Sequence, residues 1–137
     1  MIAWPHRTVL PHPADEDPFW TGGASGELRI QRCAQCRWWL HPPGVVCPQC
    51  LSDQLSYEPV SGRGTVYSYT VNHHPWTPDL PVPYVLAVVE LVEQPLLRLV
   101  SNVVGEERER ADVGSAVVVD FEQAGDVWLP VFRLEGV

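Results

Sequence analysis

Four cysteines stand as Cys33-Ala-Gln-Cys36 and Cys47-Pro-Gln-Cys50, with ten residues between the pairs and no other cysteine in the chain. Paired CxxC turns are metal-binding turns: each presents two thiolates on one side of a tight bend, and a short hairpin between them completes a tetrahedron. Cys33, Cys36, Cys47 and Cys50 are therefore expected to hold one structural zinc ion. Four protein ligands leave no open position for a substrate, so the metal predicts a scaffold and places any chemistry elsewhere. Iron suits the same thiolate set, and the sequence does not separate it from zinc. Disulfides would suit a secreted chain, but Met1 to Pro13 is polar and proline-rich, without the apolar run of a signal peptide. A redox CxxC of the thioredoxin kind comes singly at a helix start, whereas here two copies match.

The other chemically capable residues are weaker signals. His73 and His74, followed by Pro75 and Trp76, fall in a loop where adjacent imidazoles could act as a general acid or polarise a carbonyl. The plainer reading is an exposed or interface loop. Ser61-Gly62-Arg63-Gly64 could cradle a phosphate through backbone N–H groups and Arg63, but no helix follows to add its dipole, and a turn explains the glycines. Arg29, Arg32 and Arg37 surround the first knuckle, where balancing the thiolates is reason enough for them. His41 is a poor candidate ligand beside four cysteines. No Ser-His-Asp order and no paired-carboxylate site can be assembled. Six tryptophans are more than one core of this size readily hides. Trp20 and Trp128 are candidates for the core, and Trp38, Trp39 and Trp76, on hairpins and loops, are the candidate partner interface.

The elements that must position these residues are mostly strands. The 14 prolines in 137 residues favour short strands and shaped loops. Residues 1–13 read as an extended arm or linker, and 14–26 as a short helical segment begun by Asp15-Glu16-Asp17-Pro18 and stopped by Gly22-Gly23. Residues 27–60 form the metal module, with strands near Leu28 to Gln31 and Leu55 to Tyr57. Its apolar mass is too small to hold shape without the ion. Residues 61–137 carry five strand patterns: Val66 to Val71, Tyr84 to Leu91, Leu96 to Val104, Ala116 to Phe121 and Val127 to Leu134. Tyr67, Tyr69 and Val71 alternate with Ser68 and Thr70 on the first, and the apolar second reads as covered on both sides. Gly62 and Gly64 suggest a bulge or bend at its start. Residues 105–114 read as a long loop. Five strands without an intervening helix predict a Greek-key barrel, the OB-fold. The fold class is mainly β: a short helix, a rubredoxin-like zinc ribbon and a five-stranded barrel.

Seventeen acidic against nine basic residues, a formal charge of −8, count against a nucleic-acid partner. No stretch approaches the roughly 20 apolar residues of a membrane span. A cytoplasmic protein is the expectation.

The order of a Phe19-Trp20 helix, the knuckles, the Ser61-Gly62-Arg63-Gly64-Thr65-Val66-Tyr67-Ser68-Tyr69-Thr70 strand and the closing Leu129-Pro130-Val131-Phe132-Arg133 resembles one family. It is similar to the rubredoxin-like zinc-ribbon plus OB-fold proteins that accompany thiolases and are described as acyl-CoA-associated, with a match from about Asp17 to Leu134. The proline-rich lead-in and Val71-Asn72-His73-His74-Pro75 resemble members that follow a hydratase half and pair with a lipid-transfer-protein-like thiolase in steroid side-chain retro-aldolases. Arg37 and Leu51 depart from the usual ribbon, where glycine is common after each knuckle, and make those turns less relaxed.

The resemblance implies an accessory subunit or domain, not catalytic alone, within a hetero-oligomer such as a heterotetramer. A thiolase-like partner would cleave an acyl-CoA or steroid-CoA, with the CoA thioester a ligand of the complex and Arg63, His73 and His74 its nearest contacts in this chain. Two other classes stay open. One is a single-strand nucleic-acid module stacking bases on Tyr67 and Tyr69. The other is a rubredoxin-like electron carrier, told apart by the visible absorption of iron.

Overall fold

In β1 (Leu28–Cys33), Leu28 and Ile30 are buried while Arg29 and Gln31 are half-exposed, as a pleated strand with one covered face requires, and Cys33, on the other face, is buried with Leu40 and Cys47. The computed structural model describes residues 9–78 and 80–136, so the expectations placed on residues 1–8, Trp4 among them, lie outside the described residues. β1 pairs antiparallel with β2 (Trp39–Leu40) on one side and β3 (Leu55–Val60) on the other. β2 is a two-residue strand that the sequence showed only as an apolar patch.

The remaining strands are β4 (Arg63–Asn72), β5 (Tyr84–Leu91), β6 (Arg98–Val104), β7 (Ala116–Ala124) and β8 (Val127–Leu134). They close into a barrel in the order β4-β5-β6-β8-β7, the expected five-stranded architecture. All its pairings are antiparallel except β6 with β8. These two run parallel and meet only at Val103 with Phe132 and Val104 with Arg133. Below that contact they splay apart, and the Ser101 hydroxyl bridges the gap by donating to the Pro130 carbonyl at 2.8 Å.

The ribbon and the barrel share one core. Leu28, Ile30 and Trp39 from the ribbon pack with Val66, Val85, Val89, Leu99, Val117 and Phe132 from the barrel. The strands nearest the knuckles keep a small cluster of their own, in which Leu40 lies with Cys33 and Cys47. Apolar mass that the ribbon lacks by itself is thus borrowed from the barrel.

The lead-in α-helix stops at the glycine pair, as expected, but the left-handed residue that ends the helical segment lies further on. After a 3-10 turn (Ala14–Glu16), α1 spans only Asp17–Thr21, and the chain then tightens into a second 3-10 turn across Gly22–Ser25. The left-handed stop is Gly26, at φ 72°. The glycine pair serves close approach instead: a Cβ on Gly23 would lie 2.5 Å from Trp128 Cβ and 2.6 Å from Phe121 Cδ1.

Three strand details also differ. The bulge in β4 falls between Val66 and Ser68, not at Gly62 or Gly64. The extra residue breaks the expected alternation, and Tyr67, Ser68, Tyr69 and Thr70 are all exposed. β5 is covered on one face only: Val85, Ala87, Val89 and Leu91 point inward, while Leu86 is 41% exposed. β6 starts at Arg98 because Leu96, at φ 70°, still belongs to the preceding turn. The long connection before β7 is a loop with a single 3-10 turn at Arg108–Arg110.

Candidate metal centre

Both knuckles are built alike. The amide of Arg37 donates to the Cys33 carbonyl at 3.1 Å, and that of Leu51 to the Cys47 carbonyl at 2.9 Å. These bonds close each turn through a left-handed residue, Arg37 at φ 69° and Leu51 at φ 64°. The two non-glycine residues noted in the sequence therefore occupy the positions where glycine would be free of strain. Arg37 is held there by its ion pair with Glu58 at 2.8 Å, and Arg32 donates to the Arg37 carbonyl at 2.8 Å. Glu58 lies below the usual carboxylate range, first through its hydrogen bond from Arg37 and then through the charges of Arg37 and Arg32.

The four sulfurs lie within 4.8 Å of one another. Cys33 Sγ is 3.6 Å from Cys50 Sγ, and Cys36 Sγ is 3.4 Å from Cys47 Sγ. A disulfide needs about 2.05 Å. A tetrahedron with metal–sulfur bonds of about 2.3 Å puts sulfurs about 3.8 Å apart, close to what is found. Among the described residues no histidine or carboxylate joins the cluster. The protonation of the bare sulfurs points the same way. The Cys36 amide hydrogen-bonds Cys33 and brings its thiol down to about 6. The Trp38 amide also favours a thiolate at Cys36, but burial and hydrogen bonds to the other sulfurs outweigh it and push Cys36 up to about 12. Four sulfurs so close cannot all ionise unless a cation sits among them. The residues fit a thiolate-bound zinc, whose contribution would be to fasten the two knuckles.

The other sequence candidates are scattered over the molecule. His73 and His74 stand exposed beyond β4, with the Asn72 side chain accepting from the His74 amide at 2.9 Å and Trp76 edge-on to His74 at 4.5 Å. Arg63 is exposed and paired with Glu135. The N–H groups of its turn are engaged, that of Ser61 by Glu93 at 2.8 Å and that of Arg63 by the Ser61 hydroxyl at 3.2 Å. Trp76 is 70% exposed and Trp38 is half-buried. Trp39 corrects the sequence reading: at 7% exposure, with the Arg32 guanidinium 4.2 Å from its ring centroid, it belongs to the core and offers little to a partner. Arg29 pairs with Glu27, so none of the three knuckle arginines is free of a local carboxylate or carbonyl.

Two features had no visible sequence signal. Gln94, in the β5–β6 turn, bonds both backbone groups of Trp39. A cleft of about 250 Å³ opens where β6 and β8 splay, lined by Phe19, Trp20, His41, Val100 and Pro130 among others. The His41 ring lies 5.2 Å from that of Phe19, and burial lowers its pKa to about 4, so it is neutral.

Comparison with known proteins decides the family. Residues 20–56 match the model of the ChsH2 rubredoxin-like zinc ribbon domain, and residues 57–122 that of the ChsH2 C-terminal OB-fold domain. The chain belongs to the ChsH2 zinc-ribbon and OB-fold family. It is 43% identical over 131 residues to a probable enoyl-CoA hydratase alpha subunit of Thermomonospora curvata, covering 93% of this chain and 40% of that protein. To the 3-oxo-4,17-pregnadiene-20-carboxyl-CoA hydratase alpha subunit of Mycobacterium tuberculosis it is 40% identical, covering 75% of this chain and 33% of the relative. It thus spans less than half the length of these two relatives. A DUF35 domain-containing scaffold protein of Methanothermobacter thermautotrophicus is 31% identical, with 70% of this chain and 72% of that protein covered. Among solved structures, a chain of an Ltp2-ChsH2(DUF35) aldolase superposes with a TM-score of 0.80 at 39% identity, covering 92% of this chain and 98% of that one. Within a ChsH2-type chain, four clustered thiolates are the ligand set a zinc ribbon requires.

Proposed function

We propose that this chain is a non-catalytic accessory subunit or domain that docks on a thiolase-superfamily enzyme of the lipid-transfer-protein type and supports carbon–carbon cleavage of an acyl-CoA, steroid-CoA included, by retro-aldol or thiolase chemistry. The observation that carries this reading is the likeness, over 92% of the chain, to a chain of the Ltp2-ChsH2(DUF35) aldolase. A scaffold protein and a steroid-CoA hydratase subunit among the relatives agree with it.

The chain's own chemistry favours support over catalysis. The cysteines form a closed set, so zinc held by Cys33, Cys36, Cys47 and Cys50 would fix the ribbon and leave no position for a thioester. Basic groups are few: the chain has no lysine. Each described arginine already bonds a carboxylate or, for Arg108, the Pro83 and Gly105 carbonyls. A CoA pyrophosphate would have to displace those partners on a chain of charge −8. In this reading the partner supplies most of the thioester site, and His73, His74 and Arg63 reach it only from the rim.

Reconstitution tests this. The thiolase-like enzyme is assayed for thioester cleavage with and without this chain, and co-elution is measured. Co-elution with a rise in cleavage is expected; separate elution and unchanged turnover would remove the proposal.

A further inference from the structure

β4 outruns its neighbour β7. The two pair only from Arg63 with Val118 to Thr65 with Ala116, and the last backbone bonds on that side are made at Val66, to Ser115 and Gly114. Past the bulge at Tyr67, the strand pairs with β5 on one edge from Ser68 to Asn72. Among the described residues no backbone group reaches its other edge. Sheet edges left open in this way are ordinarily blunted by lysine, proline or inward charge, because a bare row of N–H and C=O groups recruits another strand. Here Tyr67-Ser68-Tyr69-Thr70-Val71 carries no charge and no proline, and its first four residues are exposed in succession.

The side chains around this edge are arranged as a platform. Tyr67 and Tyr69 are 50% and 39% exposed. The Arg98 guanidinium lies 3.6 Å from the centroid of the Tyr67 ring, and Arg98 is itself fixed by Glu90 at 2.9 Å. On the outward face that Tyr67 shares with Arg98, Ser68 stands beside Val88 and then Val100, and Thr70 beside Leu86, whereas Tyr69, opposite the inward Ala87, is exposed on the other face. Leu86 and Val100 are exposed, so an added strand would extend an apolar surface that β5 and β6 already present.

We infer that the Tyr67–Val71 edge of β4 takes up an extended segment of the partner enzyme by strand addition, an inference that rests on the docking reading above. An open main-chain edge is complementary to one kind of occupant, an extended peptide, whose backbone supplies the hydrogen bonds and whose alternate side chains meet the aromatic platform. A second copy of this chain has the same edge, but pairing two chains of charge −8 opposes association. An uncharged or basic segment carrying apolar side chains at every second position meets neither obstacle.

Hydrogen exchange of this chain, alone and in complex with the thiolase-like enzyme, tests the inference. Amides within residues 67–72 should slow by at least about tenfold in the complex. Tyr69→Lys with Thr70→Lys should weaken complex formation by at least about tenfold, whereas Val45→Lys, at an exposed residue of the ribbon away from this edge, should not. A stable complex without protection of residues 67–72 overturns the inference and leaves the docking reading standing. No complex at all overturns both. Protection of these amides in the isolated chain as its concentration rises would make a second copy the occupant, and would also overturn it.

Discussion

Gln94 binds Trp39 as a neighbouring strand would: the Trp39 amide donates to Gln94 Oε1 at 2.9 Å, and Gln94 Nε2 donates to the Trp39 carbonyl at 3.0 Å. A side-chain amide from the barrel thus completes the ladder of the ribbon's shortest strand, so the orientation of the metal module depends on a turn 55 residues further along the chain. The Trp39 ring enters the shared core beside that contact.

Gln94→Ala should cost about 1–3 kcal/mol, because both backbone groups of a mostly buried residue lose their partner. Gln94→Glu keeps the acceptor and loses the donor, and should fall between the two. Denaturant unfolding of the three proteins measures this. Equal midpoints would show that water or a neighbouring group replaces the amide without loss.

Gly23→Ala places a methyl group against Trp128 Cβ and the Phe121 ring, neither of which is the free end of a flexible side chain. Overpacking of this kind costs about 1–3 kcal/mol. Thermal unfolding should show a lower midpoint, while Gly26→Ala should be destabilising for another reason, a left-handed φ with open space around it.

Cys36→Ser should lower bound zinc below one equivalent per chain and release the ribbon, since affinity in a structural site is folding energy. Cys36 is one of the two exposed cysteines, so packing loss is small and the metal accounts for most of the effect. Colorimetric zinc release and near-ultraviolet dichroism of Trp38 and Trp39 report it. A variant that retains a full equivalent and the native dichroism would contradict the tetrahedral assignment.

How much of this was legible beforehand follows from which signals are local. The knuckles were readable because thiolate spacing is a covalent constraint, and β5 and β8 because apolar runs between turn residues define them. The bulge at Tyr67 was not, since the extra residue is set by how β4 must bend to meet both β5 and β7, and glycines upstream were the more visible marker. Trp39 was assigned to the surface because its immediate neighbours read as a hairpin. Its burial is a tertiary fact, created by Leu28, Ile30 and the barrel. Gln94, between Glu93 and Pro95, looks like any turn residue until Trp39 is brought beside it.

His41 gives a pH dependence whose direction is fixed by burial. Its pKa falls from an ordinary value near 6.5 to about 4 in the folded chain, so between those values the unfolded state binds a proton that the folded state refuses. Stability is therefore unaffected by this residue above about pH 6.5, declines as pH falls, and below about pH 4 is lower by no more than about 3 kcal/mol. Thiolate protonation and metal loss act over part of the same range, so the contrast that isolates His41 is between the natural chain and His41→Gln, which carries the same cysteines. The gap between their unfolding midpoints should narrow or invert as pH drops from 7 to about 4.5. Parallel curves would mean that the imidazole takes its proton in place, with the cleft beside Phe19 open enough to hydrate it.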